Sequence, residues 1–420
     1  MISERSREAF VWIWLPGETD PVVAGRLESD NGRVRFNYGK SYLARRHYQP
    51  PAIPIYEPEL PLQEGILFPP VGLSLAGSIR DAAPDAWGRR VILNKLLGRK
   101  GPNTDTEALD ELTYLLESGS DRVGALDFQH SPTEYVPRAA VNVGLDELIE
   151  SAERVEKGVP LSPVLDQALF HGSSIGGARP KALIQNNGKK YIAKFASSAD
   201  LYSVVKAEYV AMRLASLAGL DVAPVALARA ASKDVLLVER FDRQPKADGW
   251  ARRAMVSALT ILSLDDMMAR YASYETLAEI IRYRFVEPQD TLKELFARLV
   301  FNVLCGNTDD HARNHAAFWD GAALRLTPAY DICPQGRTGN EASQAMRICG
   351  DNNLSQLKTC LAAAPNFLLS ERDARAVFAH LMAVIETQWD LVCDEASLSR
   401  VDRNLFWSRQ FMNPFSTIAD

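Results

Sequence analysis

The sequence predicts an α+β protein, rich in short strands at its N-terminal end and mainly helical from Ala254 onward. Three observations carry that prediction. Short apolar or alternating runs recur early in the chain, and the Asn-Gly pairs 31–32 and 187–188 supply two-residue hairpin turns. Longer runs with apolar residues at three- and four-residue spacing dominate the second half. Polar and Pro-rich stretches separate these regions, which places segments at 1–130, 131–242 and 243–420.

Residues 9–15 and 22–28 read as strands. After Asn31-Gly32, Val34, Phe36 and Tyr38 alternate with polar residues, as a half-buried strand requires. Residues 49–70 are rich in Pro, which removes donors and fixes φ, so they form extended connection. Pro84 suits a first helical turn, and Trp87, Val91, Ile92 and Leu96 then recur at helical spacing. Residues 109–116 read as a second helix, 121–128 as a returning strand, and 145–155 as a further helix. Residues 182–184 and 191–195 are paired strands around Asn187-Gly188, residues 204–218 a helix, and 235–242 a buried strand leading into a polar linker. Residues 292–304 are helical and 316–319 form a strand that turns at Asp320-Gly321. Trp12, Trp14, Trp87 and Trp407 read as core or interface fillers, and the charges of 400–409 as a solvated face.

Composition bounds the function. The chain has 420 residues, enough for two or three domains with a sizeable core. A formal charge of −6 and a pI near 5.7 argue against gripping nucleic acid by global charge. The five Cys form no C-x-x-C pair, so neither a disulfide framework nor a zinc site is expected, and a reducing cytoplasm is the natural home. The apolar run 9–15 is too short to span a bilayer, so no membrane role is expected.

Chemistry concentrates at residues 304–315, Leu-Cys-Gly-Asn-Thr-Asp-Asp-His-Ala-Arg-Asn-His, a polar loop between two apolar elements. Asp309 and Asn314 have the spacing of base and metal-binding Asn in protein-kinase catalytic loops, and Asp331 follows a hairpin later. Phosphoryl transfer needs a carboxylate beside the acceptor hydroxyl and oxygen ligands for magnesium. Asp309 suits the first role, Asn314 and Asp331 the second. The competing reading is a capped turn whose Asp and Asn make only local hydrogen bonds. His311 and His315 have a zinc-compatible spacing but sit in a loop without a nearby Glu, which favours hydrogen bonds that orient the Asp309 loop.

A second stretch, residues 171–184, holds Ser173, Ser174, Ile175, Gly176, Gly177 and Ala178 ahead of Lys181. Glycines leave backbone N–H groups open to phosphate oxygens. Lys194, flanked by Ile192 and Phe195, reads either as an exposed strand residue or as a phosphate-holding lysine. Glu208 is either its ion-pair partner or a solvated acid near a helix N-terminus. The strand 235–242 would become the hinge that meets adenine.

Together these stretches resemble the HipA-type serine/threonine kinases, the toxin half of bacterial toxin–antitoxin pairs. The matching residues are Ser174-Ile175-Gly176-Gly177-Ala178-Arg179-Pro180-Lys181, Ile192-Ala193-Lys194, Val238-Glu239-Arg240-Phe241-Asp242-Arg243, Gly306-Asn307-Thr308-Asp309 through Asn314, and Leu326-Thr327-Pro328 through Asp331. Residues 81–90 and 116–128 also match, so the likeness spans nearly the whole chain. It implies a two-lobed protein-kinase-like fold with a small β-rich N-terminal subdomain, a part of the N-lobe at 131–242, and a mainly helical C-terminal lobe. It implies ATP and Mg2+, with Asp309 as base, His311 in the catalytic loop, Asn314 and Asp331 on the metal, and Lys181 and Lys194 on the phosphates. Residues 174–178, Glu239, Arg240 and Phe241 would contact the nucleotide, and Ser174 would phosphorylate itself. It also implies a small helix-turn-helix antitoxin, HipB-like, through which operator DNA is bound, and a protein substrate such as an aminoacyl-tRNA synthetase. Two alternatives stay open: a kinase-like small-molecule phosphotransferase, and a non-catalytic ATP-binding transcriptional co-regulator.

Overall fold

The computed structural model describes residues 7–97, 109–138, 145–156, 179–196, 200–230, 232–337 and 339–418. The chain divides into two compact units. One comprises Met1–Ala199, Arg229–Val256 and Trp319–Ala322; the other comprises Asp200–Ala228, Ser257–Phe318 and Ala323–Asp420.

In the first unit, β1 (Glu8–Ile13), β2 (Val22–Asp30), β3 (Arg33–Tyr38), β4 (Ile66–Leu67) and β5 (Leu126–Gln129) form an antiparallel sheet in the order β4-β3-β2-β1-β5. Asn31 and Gly32 turn the β2–β3 hairpin with φ of 50° and 81°, the positive values that a two-residue hairpin demands. Val34, Phe36 and Tyr38 alternate inward as expected. They join Val11, Ile13, Leu27, Leu112, Leu115 and Phe128 in one core. Leu112 and Leu115 come from helix Glu111–Glu117, whose N-terminus is capped by the Asp110 carboxylate accepting from Thr113 N–H. The earlier helix runs Ala86–Leu97, so Pro84 lies just outside it.

The strand expected over 121–128 is shorter than its apolar pattern suggests, because only Leu126–Gln129 pairs. The preceding residues are used differently. Asp121 and the carbonyls of Arg122 and Gly124 accept hydrogen bonds from Arg240 and Arg243. A second sheet holds Lys181–Asn186, Lys189–Phe195 and Lys233–Glu239 as antiparallel neighbours. Its first turn is again Asn-Gly, with φ of 49° at Asn187 and 71° at Gly188.

The second unit is mainly helical. Its largest helices are Val204–Leu217, Tyr274–Arg284, Pro288–Cys305 and Glu371–Glu395. The helical trend expected after Ala254 starts with an exception, the short strand Ala254–Ser257, whose first three residues belong to the first unit. Glu371–Glu395 is long and apolar enough to cross a membrane by length and composition. Its apolar residues have a place inside the unit, however: Ala374, Phe378, Leu381, Ile385, Trp389 and Val392 recur at helical spacing and are buried. His380 Nε2 lies 2.9 Å from the Ala218 carbonyl, which ties this helix to the end of Val204–Leu217.

Candidate active site

The loop that the sequence singles out starts where a helix is forced to stop. Pro288–Cys305 has Pro at its first turn and buries Leu292, Leu295, Phe296, Leu299 and Val303. It ends at Gly306, in the left-handed region with φ 72°. A Cβ there would lie 2.7 Å from the Gln410 carbonyl oxygen, so only glycine fits. The following backbone is pinned from several sides. Gly306 C=O accepts from Gln335 N–H at 3.0 Å, Thr308 C=O from Ala345 N–H at 3.1 Å, and Ala312 C=O from Leu259 N–H at 3.1 Å. Buried Asn307 donates its amide to Asn302 Oδ1 at 3.0 Å. Few degrees of freedom remain for residues 306–315.

Two adjacent carboxylates in this loop have opposite surroundings. Asp309 is exposed. Partial desolvation, opposed by His311 and reinforced by the charges of Asp331 and Asp310, raises its pKa above the usual carboxylate value. Asp310 is buried. Burial alone would raise it too, but the His315 ring and hydrogen bonds from His315 and Tyr274 outweigh burial and hold it below the usual value. The Tyr274 hydroxyl donates to Asp310 Oδ2, and His315 Nε2 lies 2.9 Å from Asp310 Oδ1. Asn314 donates its amide to the Asp309 carbonyl at 3.2 Å, and its own N–H bonds the His311 carbonyl at 2.8 Å. The side-chain NH2 thus turns one N–H into the loop, and Oδ1 is the amide's acceptor end. The His311 Nδ1 atom is buried and has no hydrogen-bond partner among the described residues.

Asp331 is brought to this loop by residues that the sequence reading passed over. Tyr330 donates its hydroxyl to the Arg313 carbonyl at 2.7 Å. Buried Arg298 donates to the Thr327 carbonyl and to the Asp221 carbonyl, both at 2.9 Å, and is itself held by Glu294 at 2.7 Å. Ala329 N–H continues the clamp to Asp221 C=O at 2.7 Å. The only sequence signal for Arg298 was a cation set between the apolar residues Ala297 and Leu299 of a helical run. Asp331 itself adopts φ 59°, uncommon for a residue with a Cβ and worth a functional explanation. A magnesium ion fits the donor set: Asn314 and Asp331 offer hard oxygen ligands. The charge of Asp331 acting on Asp309 is of the kind that a cation would relieve.

In the other unit, strand register places Lys181 directly opposite Lys194. Side chains of opposed residues lie on one face, so two cations expected separately are side by side. Leu236 pairs with Lys194, and Ile192 with Val238, which adds an apolar strip to the same face. Glu239 pairs with Tyr191 and so belongs to the other face, where its carboxylate meets Lys189 Nζ at 2.7 Å. Arg240 requires a correction. Its Nε and Nη2 bond the Asp242 carboxylate at 2.9 and 2.8 Å. Its Nη1 bonds Asp121 twice, and Nη2 also bonds the Arg122 carbonyl at 2.6 Å. Its backbone N–H bonds Lys190 C=O at 2.8 Å. Every donor of Arg240 is therefore taken inside the protein, and none remains for a nucleotide. Phe241, next to it, is half-buried. Glu208 is 3 % exposed, which rules out the solvated-acid alternative. Ser173, Ser174, Ile175, Gly176, Gly177 and Ala178 lie outside the described residues.

Residues 173–389 match the model of the HipA-like C-terminal domain. The chain is 26 % identical over 267 residues to the protein Y4mE of Sinorhizobium fredii, covering 58 % of this chain and 60 % of that one. It is 24 % identical over 244 residues to the serine/threonine-protein kinase toxin HipA of Shewanella oneidensis, covering 51 % of this chain and 54 % of the toxin. The matched parts thus span little more than half the length of these relatives. A solved structure of Shewanella oneidensis HipA, from a complex with HipB and operator DNA, superposes with a TM-score of 0.66 at 20 % identity and covers 95 % of this chain and 96 % of that one. The fold is that of HipA, and the match over 173–389 covers more than half of the chain. The chain belongs to the HipA-like family.

Proposed function

We propose that the chain is an ATP- and magnesium-dependent serine/threonine protein kinase of the HipA type. The observation that carries this reading is the loop 306–315: exposed Asp309 with Asn314 hydrogen-bonded to its carbonyl, and Asp331 near enough to act on its charge. Asp309 takes the proton of the acceptor hydroxyl while that oxygen bonds the γ-phosphorus, the bond to the β-phosphate oxygen breaks, and ADP leaves. A raised pKa brings Asp309 nearer the range useful to a general base. Asn314 Oδ1 and the Asp331 carboxylate would hold magnesium, which offsets phosphate charge when bound. His311 lies between Asp309 and Asn314 in sequence, and its orphaned ring nitrogen is not committed to a structural contact among the described residues.

Lys181 and Lys194, opposed on one sheet face, bring two cations together, which suits the nucleotide phosphates. Ile192, partly exposed on that face, suits an adenine ring, with the backbone at Glu239 and Phe241 as the hinge. Residues 174–178 would add phosphate contacts, and Ser174 would be the self-phosphorylation site. The Shewanella relative is named as a toxin and its solved structure contains HipB and operator DNA. By that likeness we infer a growth-arresting cytoplasmic toxin, neutralised by a HipB-like helix-turn-helix antitoxin. Its substrate would be a translation component such as an aminoacyl-tRNA synthetase. The test is labelled ATP with cell lysate, run beside Asp309→Ala. Label should enter a protein band with the parent chain only. Label confined to metabolites, or retained in Asp309→Ala, overturns the reading.

A further inference from the structure

Three buried side chains meet beside the catalytic loop without facing its outer surface. Tyr274 opens helix Tyr274–Arg284 and is 0 % exposed; Asp310 is 2 % and His315 4 % exposed. The Tyr274 hydroxyl donates to Asp310 Oδ2. His315 Nε2 lies 2.9 Å from Asp310 Oδ1 and 3.1 Å from the Tyr274 oxygen. The two rings pack edge-on with centroids 5.4 Å apart. The contacts close into a triangle. Its outer corners are anchored in turn: Tyr274 N–H bonds the Arg347 carbonyl at 3.0 Å, and the His315 carbonyl accepts from Ala258 N–H at 2.7 Å.

A buried carboxylate is expensive, and a well-packed apolar group would often serve stability as well or better. Its place in the sequence supplies another reason for it. Asp310 follows Asp309, and His315 follows Asn314. One hydrogen-bonded object therefore grips the chain next to both groups assigned to the chemistry. Burial in a low-dielectric interior makes these bonds strong and directional.

We propose that Tyr274, Asp310 and His315 form a positioning triangle that sets the separation and orientation of Asp309 and Asn314. The proposal rests on the reading of those two residues as base and metal ligand. None of the three is a catalytic residue, because all are buried away from where a substrate could touch them. The triangle also divides the labour of the Asp-Asp pair: Asp310 holds the loop, and Asp309 is left outside to act.

The test is Tyr274→Phe in the full chain, which keeps the ring and removes the hydroxyl. Misplacing a reacting group by an ångström can cost about 100-fold in rate, so kcat should fall ~10–100-fold. The magnesium concentration for half-maximal activity should rise several-fold as Asn314 drifts, while the KM for the acceptor stays within about two-fold. A residue that only stabilises the fold would lower the melting temperature without moving the magnesium requirement of the folded fraction. His315→Gln keeps an N–H donor near the reach of Nε2 and should retain most activity, whereas His315→Leu should lose it. This second pair carries the test if Tyr274→Phe does not fold. If Asp309→Ala abolishes transfer while Tyr274→Phe and His315→Leu keep the parental kcat and magnesium dependence, the triangle is not a positioning device. If Asp309→Ala itself retains transfer, the assignment of the loop fails instead.

Discussion

Asp309 and Asp310 are identical side chains one residue apart, and the fold gives them opposite surroundings. Asp309 is exposed; Asp310 is buried and bonded to Tyr274 and His315. Asp309→Asn keeps the volume and removes the base. General-base contributions are typically ~10²–10⁴-fold, so phosphotransfer should fall by that range while titration calorimetry finds nucleotide binding retained. Transfer within about two-fold of the parent, a difference under ~0.5 kcal/mol, would remove Asp309 from the mechanism. Spacing to Asn314 is what singles out Asp309 in the sequence as the proposed base. The role of its neighbour was not legible there, because Tyr274 lies far away in the chain and only folding brings its hydroxyl to Asp310. Arg240 was misjudged for the same reason. Its position in a kinase-like strand suggested a nucleotide contact, but its partners Asp121 and Arg122 are more than a hundred residues away.

Elements were easier to read than their partners. Asn-Gly turns and alternating apolar residues located β2, β3 and the Lys181–Phe195 hairpin, because those signals are local. The register that opposes Lys181 to Lys194 needed the structure. Lys181→Met and Lys194→Met should each weaken ATP binding several-fold or more in calorimetry. The double variant should lose less than the sum of the two if both serve one phosphate group, since neighbouring sites are not additive; strictly additive losses would show that they act separately. The end of strand Lys233–Glu239 invites a different measurement. Burial pushes the Asp242 carboxyl up, but Arg240 and Arg243 outweigh it and leave the pKa near 2, against 3.8 for the free side chain. The folded state thus binds the proton less readily than the unfolded chain. The resulting stability is present above pH 3.8 and disappears as pH falls toward 2. A shift of that size corresponds to roughly 2 kcal/mol. Urea unfolding should therefore show a loss on acidification through this window. Asp242→Asn should be less stable at neutral pH, and the gap to the parent should narrow in acid. A gap independent of pH would mean that the carboxylate charge does not contribute.

At the scale of the whole chain, charge decides what the protein can grip unaided. Its formal charge is −6, and its pI is about 5.7. Duplex DNA is a dense polyanion, and affinity at physiological salt depends on cations that displace its counterions. An acidic chain can still place a basic patch on DNA, but its net field opposes the approach. The HipA of Shewanella oneidensis has been solved with HipB and operator DNA; for this chain, a partner that carries the basic DNA-binding surface would resolve the conflict. The expected outcome is that the purified chain, at about 150 mM salt, does not retard the operator DNA upstream of its own gene. Adding a small helix-turn-helix protein encoded beside it should produce a retarded complex containing both proteins. The retardation should weaken steeply with salt, with a slope set by the partner's phosphate contacts. Operator binding by this chain alone, unchanged when the partner is added, would show that the acidic surface hides a DNA site of its own and that the antitoxin is not the adaptor.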